Sequence, residues 1–303
     1  MKLRSFVRDL IWILVGLTLA FHLLGGWYFS GVLIEDAFIP DPDPILLPTG
    51  DFEIEEVAYS SPLGEMDAWY LPAADDTWVI HVHGKGATPA DAEHLFPVLQ
   101  QAGYPQLSIT YRNDEGQPED PSGYYQYGAT EWADVAGAME YARANGAESI
   151  VFMGFSTGGS HVLSFAYRHN LDPVKGIILE SPNVDMGNTV DFAASKRELP
   201  ILPFNVPPTL SATAKFITSL RIGINWKSLD YSSRAEASLR VPTLVIHGTD
   251  DETVPISQSV GFAAAAPEMV RLVQVGDAGH VDSHDTDPDL YIAEVLSFLE
   301  EVG

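Results

Sequence analysis

The chain contains no cysteine and few bases, with 16 Lys and Arg against 42 Asp and Glu in 303 residues. The missing thiols exclude a disulfide scaffold, a zinc–cysteine site, an iron–sulfur site and a cysteine nucleophile. The shortage of bases leaves a formal charge of −26. Such a surface repels a nucleic-acid duplex, so no nucleic acid is expected as a partner. Between residues 10 and 34 Asp, Glu, Lys and Arg are absent, and His22 is the one side chain there that titrates near neutral pH. What is present is an apolar fraction of 46%, ordinary for a packed globule. The length suits one large domain with an appendage, and a core of that size needs no staples.

As a helix the uncharged run is about 37 Å long, enough for a bilayer core of about 30 Å. Lys2, Arg4 and Arg8 flank its near end, and Trp27, Tyr28 and Phe29 lie near its far end. Aromatic side chains favour the headgroup region, and bases favour the cytoplasmic side. The expected order is a basic cytoplasmic tip (1–9), a transmembrane helix (10–34) and a spacer (35–50). The spacer holds Pro40, Pro42, Pro44 and Pro48. The acidic bulk, from about Asp51, then lies on the extracytoplasmic side. A cleaved signal peptide is the competing reading, with Thr18-Leu19-Ala20 as the cleavage site. That cut would leave residues 21–29 as an exposed apolar tail.

Eight stretches read as strands: 52–59, 66–71, 78–83, 106–111, 150–155, 176–179, 243–247 and 272–275. The first alternates apolar with acidic, as an edge strand does, and Pro62-Leu63-Gly64 turns it into the second. Several others are short, continuous β-branched runs, as in strands buried on both faces. Helical patterns lie at 90–102, 127–144, 157–169, 257–266 and 288–302. This alternation predicts an α/β fold with an eight-stranded, mostly parallel, doubly wound sheet. Residues 183–230 break the rhythm. They hold Pro200, Pro203, Pro207, Pro208 and a helical run, which predicts an inserted helical cap. Phe192, Phe204, Phe216 and Trp226 are expected to give the cap an apolar acyl pocket.

The chemistry gathers at Gly154-Phe155-Ser156-Thr157-Gly158-Gly159, between an apolar strand and a helix. A serine on such a strained turn is pushed above the sheet as a nucleophile, with a helix N-terminus beside it. Serine needs a base and the base needs an orienting acid. His280 follows the last strand in Gly276-Asp277-Ala278-Gly279-His280. Asp251 follows the preceding strand in His247-Gly248-Thr249-Asp250-Asp251. All three positions lie past the carboxyl ends of strands, where open α/β sheets bind ligands. Asp250 and Glu180 are alternative acids, and His284 is an alternative base. Asp282, His284 and Asp285 read as a polar loop rather than a metal site, and His81 and His83 as structural.

These parts, with His81-Val82-His83-Gly84-Lys85-Gly86 and Val254-Pro255, resemble the α/β-hydrolase superfamily. The resemblance covers about 52–303. Tyr111-Arg112-Asn113-Asp114, Tyr127-Gly128 and Glu131-Trp132-Ala133-Asp134 are similar to a pattern of membrane-anchored bacterial hydrolases of the serine aminopeptidase-like group. The resemblance implies an α/β-hydrolase fold and an oxyanion hole built from the backbone N–H groups of Thr157 and Lys85. It implies no cofactor and no metal.

The expected function is a serine hydrolase of carboxylic esters or amides acting through Ser156, His280 and Asp251 and an acyl-enzyme. Its partners are a small acyl ester or peptide substrate and the membrane around residues 10–34. A peptidase acting on short peptides is the alternative within the class. A silent binding module of the same fold is the alternative outside it. Phosphate binding at the turn would need a Lys-Ser or Lys-Thr that Gly158-Gly159-Ser160-His161 does not supply.

Overall fold

The computed structural model describes residues 2–37, 45–50, 52–200 and 203–303. The prolines at 40, 42 and 44 and Asp51 lie outside the described residues. The chain divides into two compact units, one of Met1–Phe38 with Val190–Trp226 and one of Ile39–Thr189 with Lys227–Gly303.

The larger unit is built on eight strands: β1 (Glu55–Ser61), β2 (Gly64–Leu71), β3 (Thr77–Val82), β4 (Gln106–Ile109), β5 (Ser149–Phe155), β6 (Val174–Glu180), β7 (Thr243–Gly248) and β8 (Val270–Val275). They form one sheet in the order β1-β2-β4-β3-β5-β6-β7-β8. β2 runs antiparallel to both β1 and β4, and every other pairing is parallel. β3, β4 and β7 are buried throughout, their polar side chains included, whereas β1 and β8 are partly wet. The hairpin turns between Ser61 and Gly64.

Ten α-helices complete the described chain: α1 (Lys2–Ala37), α2 (Phe96–Ala102), α3 (Trp132–Ala144), α4 (Thr157–Ala166), α5 (Met186–Lys196), α6 (Pro208–Ile222), α7 (Ala235–Ser238), α8 (Ser257–Ala265), α9 (Ser283–Thr286) and α10 (Pro288–Val302). α10 starts sharply because Asp287 accepts from the Leu290 amide at 3.1 Å and Pro288 needs no partner. Phe298 and Leu299 of α10 join Phe96, Leu99, Val151, Met153 and Ile246 in the main core.

Three expected helices differ in extent. Residues 90–102 are a 3-10 turn (Pro89–Leu95) followed by α2, because Pro97 lacks an N–H and fits only a helix's first turn. Residues 127–131 stay outside α3. There the Glu131 carboxylate accepts from the Gln126 and Gly128 amides at 2.7 and 2.8 Å, holding a loop with positive φ at Tyr127 and Gly128. α4 stops at Ala166, not at 169.

The cap holds α5 and α6, and no strand among its described residues. Its two edges, 183–189 and 227–230, belong to the larger unit. Ser160 Oγ donates to the Asn183 carbonyl at 2.6 Å and Gln258 Oε1 accepts from the Asp185 amide at 2.9 Å, tying the first edge down.

In the smaller unit, α1 starts in the basic tip and continues past Ile34 to Ala37. It is long and apolar enough to cross a membrane. Phe29 packs with Leu199, Val206, Leu210 and Ala214 of the cap. Phe204 and Phe216, expected in an apolar pocket, stand exposed, and Trp226 donates its indole N–H to the Lys215 carbonyl at 2.9 Å.

Candidate active site

β5 ends at Phe155 and α4 begins at Thr157, so Ser156 must turn the chain within one residue. Its backbone takes φ +50° and ψ −115°, outside the regions a serine prefers. The strain is held by ladder bonds, since the Ser156 amide donates to the Glu180 carbonyl at 2.9 Å. The flanking glycines are forced by space. A Cβ on Gly154 would stand 2.8 Å from Gly159 Cα, and one on Gly158 would collide with the Val82 carbonyl.

Asp251 lies just past β7 and His280 just past β8. His280 Nε2 is 2.9 Å from Ser156 Oγ, and His280 Nδ1 is 2.7 Å from Asp251 Oδ2. The other Asp251 oxygen accepts the Thr253 and Val254 amides, both at 2.8 Å. Burial alone would raise the pKa of Asp251. Hydrogen bonds from His247 and His280, with the His280 charge, outweigh it and hold the carboxyl below the ordinary carboxylate range. An ionised Asp251 accepts from Nδ1–H of His280, which leaves Nε2 as the lone-pair nitrogen facing Ser156. The arrangement can take a proton from the serine hydroxyl and return it.

The competing acids and base stand elsewhere. Asp250 is exposed and accepts from Thr249 Oγ1 at 3.2 Å. Glu180 is buried, accepting from Tyr291 OH at 2.6 Å and from the Ser283 amide at 3.1 Å. Burial raises its pKa despite those bonds. His284 bonds to Asp285 at 3.1 Å and its ring lies 4.3 Å from that of His94. His81 bonds to Gln106 at 3.0 Å, and its burial pushes its pKa down to about 4. His83 spans the Gly84 carbonyl at 2.8 Å and Asp114 at 2.9 Å.

At the expected oxyanion donors, the Lys85 amide donates to Thr157 Oγ1 at 2.6 Å. The Thr157 amide opens α4, where amides have no intrahelical acceptor. The Lys85 ammonium lies 5.8 and 5.7 Å from the Tyr125 and Tyr127 ring centroids. No group of three or more His, Asp or Glu among the described residues is placed to hold a metal.

Several supporting residues escape sequence reasoning. His247 bonds to Ser259 Oγ at 2.7 Å and to the Val254 carbonyl at 3.0 Å, and stands 3.2 Å from Asp251 Oδ2. It braces the loop that carries the aspartate. Glu180 and Tyr291 do the same for the His280 loop through Ser283. Ser181 Oγ adds a bond from the Val281 amide at 3.2 Å. The Arg112 guanidinium is buried between Asp134, at 2.7 and 2.9 Å, and Asp120 at 3.1 Å. The Tyr111–Asp114 and Glu131–Asp134 motifs thus build the β4–α3 loop. Histidine and acid types are visible in the sequence, but their partners lie up to 111 residues away.

The sequence model of the prolyl oligopeptidase family matches residues 91–303, and the chain therefore belongs to that family. A carboxylesterase of Bacillus subtilis is 25% identical over 248 residues, covering 75% of this chain and 94% of that protein. The uncharacterised YfhR of Escherichia coli is 23% identical and covers 88% of this chain and 87% of its own length. Among solved structures, a Pyrococcus furiosus esterase superposes with a TM-score of 0.66 at 21% identity, over 87% of this chain and 98% of its own. The Pyrococcus horikoshii acylaminoacyl peptidase gives 0.60 at 19% identity, over 82% of this chain and 41% of that one. These likenesses support the α/β-hydrolase fold, and the family makes the chain a hydrolase.

Proposed function

We propose that this member of the prolyl oligopeptidase family is a membrane-anchored esterase. Ser156 is its nucleophile, His280 its general base and acid, and Asp251 the group that orients His280. The observation that carries the reading is the unbroken hydrogen-bonded series from Ser156 Oγ to His280 to Asp251 at the carboxyl ends of β5, β7 and β8. Ser156 Oγ attacks the acyl carbon while His280 Nε2 takes its proton. His280 then passes that proton to the departing alcohol, leaving an acyl-enzyme. A water, deprotonated by the same nitrogen, releases the acid and restores Ser156. Asp251, held ionised, stabilises the imidazolium that forms in each half.

The oxyanion is received by the Thr157 and Lys85 amides. Each such donor is worth about 10²–10³ in kcat. The Thr157 hydroxyl must first release the Lys85 amide by rotating about its side-chain bond. Esters are favoured over peptides because the relative covering 94% of its own length against this chain is a carboxylesterase. The acylaminoacyl peptidase likeness carries the second reading, a peptidase acting on short peptides. α1 is retained as the anchor, with its basic end in the cytoplasm and the acidic unit on the extracytoplasmic side.

A panel of p-nitrophenyl acyl esters of increasing chain length, run beside aminoacyl p-nitroanilides, tests the substrate class. Esters are expected to turn over faster at every matched acyl group. Faster cleavage of the anilides supports the peptidase instead.

A further inference from the structure

The seam between α1 and α6 stands apart from the catalytic chemistry. The two helices run side by side in the same direction. Thr209 stands beside His22, and Thr218 beside Ser30. α1 has 36 residues, about 54 Å of helix, whereas a bilayer core takes only about 20 residues. A span that starts at Leu10, next to Arg8 and Asp9, reaches its far boundary near Phe29. The first turn of α6 then lies about 12 Å inside that boundary, at the level of His22.

We propose that α6 and residues 203–207 before it are seated in the lipid bilayer beside α1, in the leaflet at the C-terminal end of α1. The proposal rests on the reading of α1 as a retained membrane anchor. Four observations carry it.

The polar groups of the apolar run find their partners on α6. His22 Nδ1 donates to the Thr18 carbonyl at 2.9 Å, so Nε2 accepts from Thr209 Oγ1 at 3.0 Å. Ser30 Oγ meets Thr218 Oγ1 at 3.0 Å and accepts from Arg221 at 3.1 Å. Polar side chains in hydrocarbon need such interhelical partners, since water is not there to serve them.

Two glycines of α1 bring the helices close at the seam. A Cβ on Gly26 would stand 2.7 Å from Thr213 Cγ2, and one on Gly25 3.0 Å from Leu210 Cδ1. Close backbone approach over glycine is how helices associate in lipid, where apolar burial gives no preference for helix over solvent.

A flank of the pair beside the seam carries exposed apolar side chains. Ala212, Phe216 and Leu220 follow one another at intervals of four along α6, and Phe216 and Leu220 are 63% and 72% exposed. Phe216 lies about 60° around the helix from Thr213, at the border of the seam. Leu23, Leu24 and Trp27 are exposed on α1, and Phe204 in the preceding loop is 49% exposed. In water these side chains are an apolar liability; in a leaflet they are lipid-facing.

Charge fits the same seat. The cap segment Val190–Trp226 holds four bases, Lys196, Arg197, Lys215 and Arg221, against Asp191 and Glu198. Lys215 pairs with Asp191 at 2.6 Å, and the Arg221 guanidinium stacks 4.4 Å over the Trp27 ring. Arg221 lies at the level of Ser30, the depth of the headgroups. The matching surface is therefore a bilayer bearing anionic headgroups.

The native chain has no cysteine, so single cysteines report one site each. Full-length Leu14→Cys, Phe216→Cys, Leu220→Cys and Glu148→Cys are labelled with an environment-sensitive fluorophore. They are reconstituted in phosphatidylcholine vesicles containing phosphatidylglycerol, with nitroxide quenchers on the acyl chains. The label at 14 reports the anchor, and the label at 148, exposed on the larger unit, reports the aqueous phase. Labels at 14, 216 and 220 are expected to lose most of their emission, and the label at 148 none. Quenching at 14 without quenching at 216 and 220 overturns the proposal and leaves the anchor standing. Absence of quenching at 14 overturns both. Disulfide-linked dimers of unlabelled Phe216→Cys, without lipid quenching of its labelled form, overturn it in favour of a second copy on this face.

Discussion

The two units of this chain are held together in opposite ways. The larger carries 9 bases and 37 acids, and the smaller 7 bases and 5 acids. In the larger, large aromatics such as Tyr59, Tyr111, Phe152 and Tyr291 are fully buried, and charges are buried as matched networks. In the smaller, Leu14, Leu24, Phe216 and Leu220 are more than half exposed, and the packing is a small cluster around Phe29 beside the seam between two helices. The first pattern is a water-soluble enzyme core, where apolar burial dominates. The second makes sense where apolar surface need not be hidden. The proposed chemistry therefore lies in the unit with the buried networks, and the proposed attachment in the unit with the exposed apolar side chains.

The sharpest way to separate the two is Ser156→Ala. Ester turnover is expected to fall by about 10⁶-fold, while sedimentation with vesicles is unchanged. Activity within tenfold of the parent would remove Ser156 from the mechanism. Asp251→Asn is expected to lose about 10⁴-fold in kcat, because His280 loses the partner that sets its tautomer. The depressed pKa of Asp251 contributes stability that is fully present above the unfolded carboxylate value of about 4. That contribution fades as pH falls further, through the lower folded value. The difference in unfolding free energy between parent and Asp251→Asn should thus be flat above that pH and shrink below it.

Asp134→Ala tests what the larger unit's networks are worth. It leaves the buried Arg112 with Asp120 as its remaining carboxylate partner, and breaking a buried pair in this way costs about 3–5 kcal/mol. Denaturant titration of the larger unit's fluorescence reads it. Gly26→Leu tests the other unit. Forcing a side chain against Thr213 is expected to cost about 1–3 kcal/mol, felt as faster amide exchange in α6 while exchange in β5 stays slow. Ser30→Ala is the mildest, at about 1 kcal/mol for the lost bonds to Thr218 and Arg221, read by the same exchange.

The larger unit is legible in the sequence because its signals are local. The strands are marked by short apolar or alternating stretches, and Ser156, Asp251 and His280 each follow one closely. The chain order and strand-end position of those three residues need no knowledge of distant contacts. What stays hidden depends on partners far along the chain. Glu180 looks like a spare acid until Tyr291 and Ser283 meet it across the sheet. His247 reads as part of a turn motif until Ser259 and Asp251 close around it. The helix expected over 127–131 fails because the Glu131 side chain captures the amides a helix would have used. The α1–α6 seam is the least visible of all. His22, Ser30 and the two glycines appear in the sequence only as interruptions of an apolar run, and Thr209 and Thr218 as ordinary polar residues of a cap.

The proposed chemistry of the larger unit turns on one serine. A fluorophosphonate reagent incubated with the intact chain, followed by mass mapping of the modified peptide, asks the question directly. A single adduct on Ser156, absent from Ser156→Ala and strongly reduced in His280→Ala, is the result expected. An unlabelled parent chain, or equal labelling of Ser156→Ala, would contradict it.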